Sequence, residues 1–182
     1  MSIFSVVSEV ETSDSFHLSR LLLLLNAFAG PQRDQAIEGI TKLAKLDFFL
    51  RYPSYLEKGL SARHANPDAA GVREFERDSV ESRMVRFKYG PWDFRYRRFL
   101  NILVGKGLAH VYLRGRTVHV GITESGRAVA NRLAEHAEFA DLKHRSKLLK
   151  THFDLSASTL VKFVYDTFPE IGTMRLGSPI QQ

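Results

Sequence analysis

Between Trp92 and Leu133 the spacing of apolar residues changes twice, and this change constrains the fold more than any other feature of the chain. Trp92, Tyr96, Phe99, Leu100 and Leu103 recur at i, i+4, i+7, i+8 and i+11, which is one face of a helix running to about Val104. Gly105-Lys106-Gly107 ends that helix, as glycine commonly does. Leu108 to Leu113 and Thr117 to Ile122 then read as strands, joined through Arg114-Gly115-Arg116 as a tight hairpin. Thr123-Glu124-Ser125-Gly126 opens a further helix with Thr123 as its N-cap. Helix, hairpin, helix is the sequence form of a winged helix. The predicted class is mainly α (α+β): a winged helix-turn-helix core, a β-hairpin wing and a C-terminal helical extension.

The same region concentrates charge. From Arg83 to Arg116 stand nine Lys and Arg residues against one acid, Asp93, which is +8. The whole chain is +6, so the remainder sums to −2. One basic module therefore sits in a mildly acidic body, and it points to an anionic partner. Ahead of the helix, Met84 to Tyr89 alternates apolar and basic residues as a short strand, and Gly90-Pro91 breaks it. Asp93 caps the helix or occupies its first turn.

The other segments supply the frame. Residues 1–12 form an N-terminal arm, residues 13–135 the winged-helix domain, residues 136–171 the helical extension and residues 172–182 a flexible tail. A helix from about Phe16 to Ala29 is apolar around most of its girth, so it is expected in the core. Gln32 to Glu38 reads as a polar connector. Thr41 is expected to cap a helix through Arg51, with Leu43, Leu46 and Leu50 buried and Lys42 and Lys45 on the opposite, wet face. Pro53 starts a short helix, and 61–79 reads as a surface loop with at most a helical turn. Helices over 124–136, 139–153 and 159–168 follow, with Lys143, Arg145, Lys147 and Lys150 on the solvent side of the second and Ser156 or Ser158 capping the third.

No constellation for catalysis stands out. Cysteine is absent, which removes disulfides and thiolate zinc sites. Gly105-Lys106-Gly107 follows a helix and precedes a strand, the wrong order for a phosphate loop. His110 and His119 can face each other across the hairpin, but a paired surface histidine outweighs a metal ligand there. The expectation is a non-enzyme with no catalytic residue, no metal and no cofactor, in the cytoplasm and off the membrane.

Two binding readings remain. In a DNA-binding winged helix the exposed side of the Trp92–Val104 helix enters the major groove and the wing touches phosphates. Arg86, Lys88, Arg95, Arg98, Asn101, Lys106, Arg114 and Arg116 are the candidate contacts to DNA or a partner. Phe94 and Ile102 flank that stripe, and apolar residues beside arginines suit protein interfaces. Lys42, Lys45, Phe94 and Ile102 are therefore candidates for a partner interface. The blander account pairs Arg97 with Asp93 at i, i+4 and leaves the other arginines solvated.

Four segments carry a resemblance: GITKLAKLDFFLRYPSYLEKGL (39–60), VESRMVRFKYGPWDFRYRRFLNILVGKGL (80–108), GRTVHVGITESGRAVANRL (115–133) and LLKTHFDLSASTLVKFVYDTFPEI (148–171). They resemble the small middle component of bacterial ABC-three-component anti-phage systems akin to Lamassu, over about residues 18 to 171. The resemblance implies a non-catalytic subunit that joins an ATPase of the structural-maintenance-of-chromosomes type to an effector, often a nuclease, and helps it meet double-stranded DNA. A stand-alone winged-helix transcription regulator is the alternative.

Overall fold

The computed structural model describes residues 14–30, 35–78 and 83–181. The 1–12 arm lies outside them. Helix α1 (Asp14–Phe28) carries Leu21 to Leu25, all buried, because it has neighbours on several sides. It packs against α6 (Glu124–Leu133), α7 (Ala140–Phe153) and the strand β5 (Thr117–Ile122).

The chain then forms a short strand, β1 (Ile37–Glu38), where a polar connector was expected. Ile37 is fully buried opposite Val120, which draws the segment onto β5. Gly39 turns the chain into α2 (Ile40–Arg51) at φ +93°, a left-handed value that glycine adopts without a Cβ penalty. Gly39 thus holds the N-cap position in place of Thr41, and no side chain caps the helix. Every residue from Lys42 to Arg51 is buried, because α2 contacts α1, α7, β1, β5, the later strand β3 (Gly90–Trp92) and α8 (Ala157–Thr167). Tyr52-Pro53 breaks it, and α3 (Pro53–Ala62) starts with proline at the first turn.

Residues 61–78 hold a 3-10 turn (Pro67–Ala70) and α4 (Glu74–Asp78), more helix than the one turn allowed for this loop. The cause is Arg145 of α7. That side chain is buried rather than on the wet side, donating to the Ala70 and Gly71 carbonyls at 2.9 and 3.0 Å and to both Glu76 oxygens at 2.7 Å.

Strands β2 (Val85–Phe87) and β3 form an antiparallel hairpin around Lys88-Tyr89, so Gly90-Pro91 continues a ladder rather than ending one. Helix α5 (Tyr96–Gly105) follows, then β4 (Ala109–Arg114) and β5, an antiparallel pair in register from Ala109↔Ile122 to Arg114↔Thr117. The order in this sheet is β1-β5-β4. Thr123 caps α6 by accepting from the Gly126 amide at 2.9 Å. Ser156 caps α8 by accepting from the Thr159 amide at 3.2 Å.

The last stretch is not a loose tail. A short helix, α9 (Pro169–Thr173), leads to a segment that lies along β2. The Gly177 and Ile180 amides donate to the Arg86 and Met84 carbonyls at 2.7 and 2.8 Å, and the Arg86 amide donates to the Ser178 carbonyl at 2.9 Å. Ile180 is fully buried, and Tyr52 donates its hydroxyl proton to the Ile180 carbonyl at 2.9 Å. The molecule is mixed α and β, mostly helical, with two small antiparallel sheets and one continuous apolar core.

Candidate nucleic-acid and partner interface

Helix α5 is anchored from below. Tyr96, Phe99, Leu100 and Leu103 are buried, as their spacing predicts, while Trp92 is partly buried before the helix begins. Its first turn also rests on a buried polar network. Asp47 of α2 accepts from Arg20 Nε at 2.6 Å, from Arg51 Nε at 2.9 Å and from the Tyr96 hydroxyl at 2.7 Å. Arg51 reaches on to Asp93 with Nη1 at 2.7 Å. Asp93 in turn accepts from the Arg95 amide at 2.9 Å and from Arg95 Nη2 at 2.8 Å. Three helices, α1, α2 and α5, are therefore joined through one chain of charges.

The protonation states follow from this arrangement. Burial acts to raise the Asp47 carboxyl, but Arg20 and Arg51 outweigh it and hold it well below the usual carboxylate range. Burial likewise opposes ionisation of Asp93, and the bonds and charges of Arg95 and Arg51 prevail, leaving it at about 2. His17 stacks on Phe99 at 5.1 Å between centroids. Burial first, and the Arg20 charge second, lower it to about 3, so it is neutral near pH 7.

Two candidates leave the surface altogether. Lys45 is 0 % exposed and donates Nζ to the Pro91 carbonyl at 2.9 Å, tying β3 to α2; burial lowers its pKa to about 7. Lys42 is buried too, paired with Asp154 at 2.7 Å beneath the Phe28 ring. The placement of these two lysines on a wet face fails because α2 has packed neighbours on all sides. The proposed Arg97–Asp93 pair is also absent: Asp93 is taken by Arg51 and Arg95, and Arg97 points into solvent.

The remaining candidates are spread over α5, the β4–β5 hairpin and the β2–β3 hairpin. Arg98, Asn101 and Lys106 are exposed along or just beyond α5, with Arg98 paired to Asp14. Arg95 is half-buried, lying over the Phe99 ring at 5.3 Å. Phe94 is 66 % exposed, and Ile102 is half-buried. Arg114 and Arg116 stand exposed at the tip of the β4–β5 hairpin, whose turn uses Gly115 at φ +63°. Leu113 beside them is 71 % exposed. On the other hairpin Lys88 is exposed at the turn, whereas Arg86 turns its guanidinium over Tyr165 of α8, 5.9 Å from the ring centroid.

The two hairpin histidines do not meet. His110 lies opposite Gly121 and His119 opposite Tyr112. The Tyr112 ring stacks between the imidazoles, 5.8 Å from His110 and 5.1 Å from His119. Among the described residues no group of three His, Asp or Glu side chains is placed to hold a metal ion, and no helix is long and apolar enough to cross a membrane.

The buried network escaped the sequence reading, although a signal for it existed. Arg20 precedes five leucines, and Asp47 and Arg51 stand at i, i+4 among Leu, Phe and Phe. Charges inside a helix with no polar face need buried partners, and Asp47 and the two arginines supply one another. Comparison of the chain with protein-family models, with curated proteins and with solved structures returns no match.

Proposed function

We propose that this chain is a non-catalytic winged-helix module whose basic face, made by α5 and the β4–β5 hairpin, binds double-stranded DNA within a larger assembly. The observation that carries this reading is the strand order β1-β5-β4 with α5 leading directly into β4. A winged helix has this succession: helix, short strand, helix, recognition helix, then two strands whose hairpin is the wing, with the first strand pairing on the last. On this reading α1, β1, α2, α5, β4 and β5 correspond to that succession, with α3, α4 and the β2–β3 hairpin lying between α2 and α5.

The recognition helix has the required polarity of faces. Its apolar stripe is buried, and Arg97, Arg98 and Asn101 lie outward. Guanidinium forks match guanine edges and phosphates, and Arg114 and Arg116 sit where a wing meets backbone. Exposed Leu113 on the β4–β5 hairpin adds an apolar component that suits a protein partner.

The resemblance to Lamassu-like middle components supports placing the module beside an ATPase of the structural-maintenance-of-chromosomes type and a nuclease effector. The test is purification of the tagged chain from its native host with and without nuclease treatment. A large ATPase retained in both conditions is the expected result. Recovery of DNA alone, with nothing retained after nuclease, would replace this assembly by the stand-alone transcription regulator.

A further inference from the structure

The β2–β3 hairpin and the turn into α5 expose three aromatic rings: Phe87 at 40 %, Tyr89 at 52 % and Phe94 at 66 %. They belong to one surface. Phe87 and Phe94 meet edge to face at 5.2 Å between centroids, and the Phe87 ring lies 6.3 Å from the Trp92 ring. Burial would be the ordinary fate of such rings, so their exposure on a small hairpin needs an explanation.

The platform is rigid. Strand β2 is paired on one side with β3 and on the other with residues 177–180. Lys45 clamps β3 from beneath through the Pro91 carbonyl. Phe94 is followed directly by the Arg95–Asp93 pair that starts α5. The backbone that carries the rings is therefore fixed before any ligand arrives, which lowers the cost of ordering on binding.

Along the segment that carries the rings the exposed charge has one sign. Between Arg83 and Arg98 the sole acid, Asp93, is buried and paired, while Arg83, Lys88 and Arg97 are exposed. Lys88 Nζ lies 5.3 Å from the Tyr89 centroid. Arg175, on the segment that covers β2, is exposed as well. A partner for this surface must present flat apolar faces and regularly spaced negative charge together. A duplex keeps its bases stacked inside, so it offers the charge without the faces. An unpaired strand offers one of each per nucleotide.

We infer that the β2–β3 hairpin with Phe94 is a stacking platform for single-stranded nucleic acid, placed beside the duplex-binding face of α5. Phe87 and Phe94 stack on unpaired bases, and Lys88 and Arg97 meet the phosphates. The module would then engage DNA where duplex gives way to an unpaired strand. This placement rests on the winged-helix reading, whereas the platform itself does not.

Trp92 is the only tryptophan in the chain and lies beside the Phe87 ring, so it reports on the site. The experiment titrates the full chain with a short oligothymidylate, following Trp92 fluorescence, and separately with a mixed-sequence duplex. The expected result is quenching by the oligothymidylate and, in Phe87→Ala/Phe94→Ala, a loss of at least about ten-fold in its affinity with duplex binding retained. Phe94→Ala alone, at a site that is mostly solvent, serves if the double variant fails to fold, and should reproduce the larger part of that loss. Oligothymidylate binding that is unchanged in the ring variants would overturn the platform. So would poly-glutamate binding and quenching as strongly, which would assign the surface to an acidic protein segment. Ring-dependent oligothymidylate binding without any duplex binding would sustain the platform and reject the duplex reading of α5.

Discussion

Asp47 and Lys45 lie two residues apart in α2 and are both fully buried, yet they act on stability in opposite ways. Asp47 lies between Arg20 and Arg51, so removing it takes from Arg20 its carboxylate at 2.6 Å and leaves Arg51 to Asp93 alone, in a dry interior. Asp47→Ala should destabilise the fold by roughly 3–5 kcal/mol, measured by denaturant unfolding. Lys45 has a carbonyl partner, Pro91, but no carboxylate. Its folded pKa of about 7 lies below the ordinary 10.5. Between those values the unfolded chain binds the proton more tightly, so stability rises with pH through that window and is lowest below about 7. One proton sets a slope of at most about 1.4 kcal/mol per pH unit. Lys45→Met should abolish this contribution, seen as a wild-type-minus-variant difference that changes between pH 7 and 10 and is flat below. A difference with no pH dependence would mean that the amine stays charged in the folded state.

At the scale of elements, α6 meets the residue just ahead of β4, Leu108, too closely for any side chain at Gly126. A Cβ there would overlap the Leu108 carbonyl oxygen, which lies on backbone and cannot swing aside. Gly126→Ala should therefore cost several times the few tenths of a kcal/mol usual for a surface exchange, despite alanine's better helix propensity, and thermal unfolding will show it. Arg114 and Arg116 make the complementary case, since both are exposed at the tip of the β4–β5 hairpin. Reversing both to Glu should leave the melting temperature nearly unchanged. If they contact phosphates, each lost contact lowers the slope of log Kd against log salt by about 0.9 for duplex DNA.

Elements with a strong period were legible in the sequence. The stripe of α5, the β4–β5 hairpin and the Thr123 cap each rest on local spacing or local hydrogen bonds. Strand β1 was not legible, because two residues carry no period, and its reason to exist is Val120, far along the chain. The burial of Lys42 and Lys45 was equally invisible, whereas Arg145 stands three residues after Leu142 and four before Leu149, on the buried stripe of α7. A cation's side of a helix can be read from spacing only when the helix has a wet side, and α2 has none.

For the whole molecule, one apolar core runs from Leu21 of α1 to Ile180 near the C-terminal end, through residues first divided among a winged-helix domain, an extension and a tail. Local composition suggested a free tail over 172–182, since Gly172, Gly177 and Pro179 favour no regular element. Tertiary bonds decide otherwise. The Ile180 carbonyl accepts from the Tyr52 hydroxyl, and the Met84 amide donates to that same hydroxyl oxygen at 2.8 Å. Burial raises the Tyr52 pKa to about 12, so the proton that makes this bond is retained well above neutrality. Strand β2 is thus fastened to the helical body partly through the last residues of the fold. Ile180→Ala should lower global stability by roughly 2–5 kcal/mol, the range for emptying a packed site of this size. The loss should appear at the same denaturant concentration whether followed by helical circular dichroism or by Trp92 fluorescence, because the core is shared. A free tail would give no change in either signal, and a separately folding C-terminal unit would give two transitions.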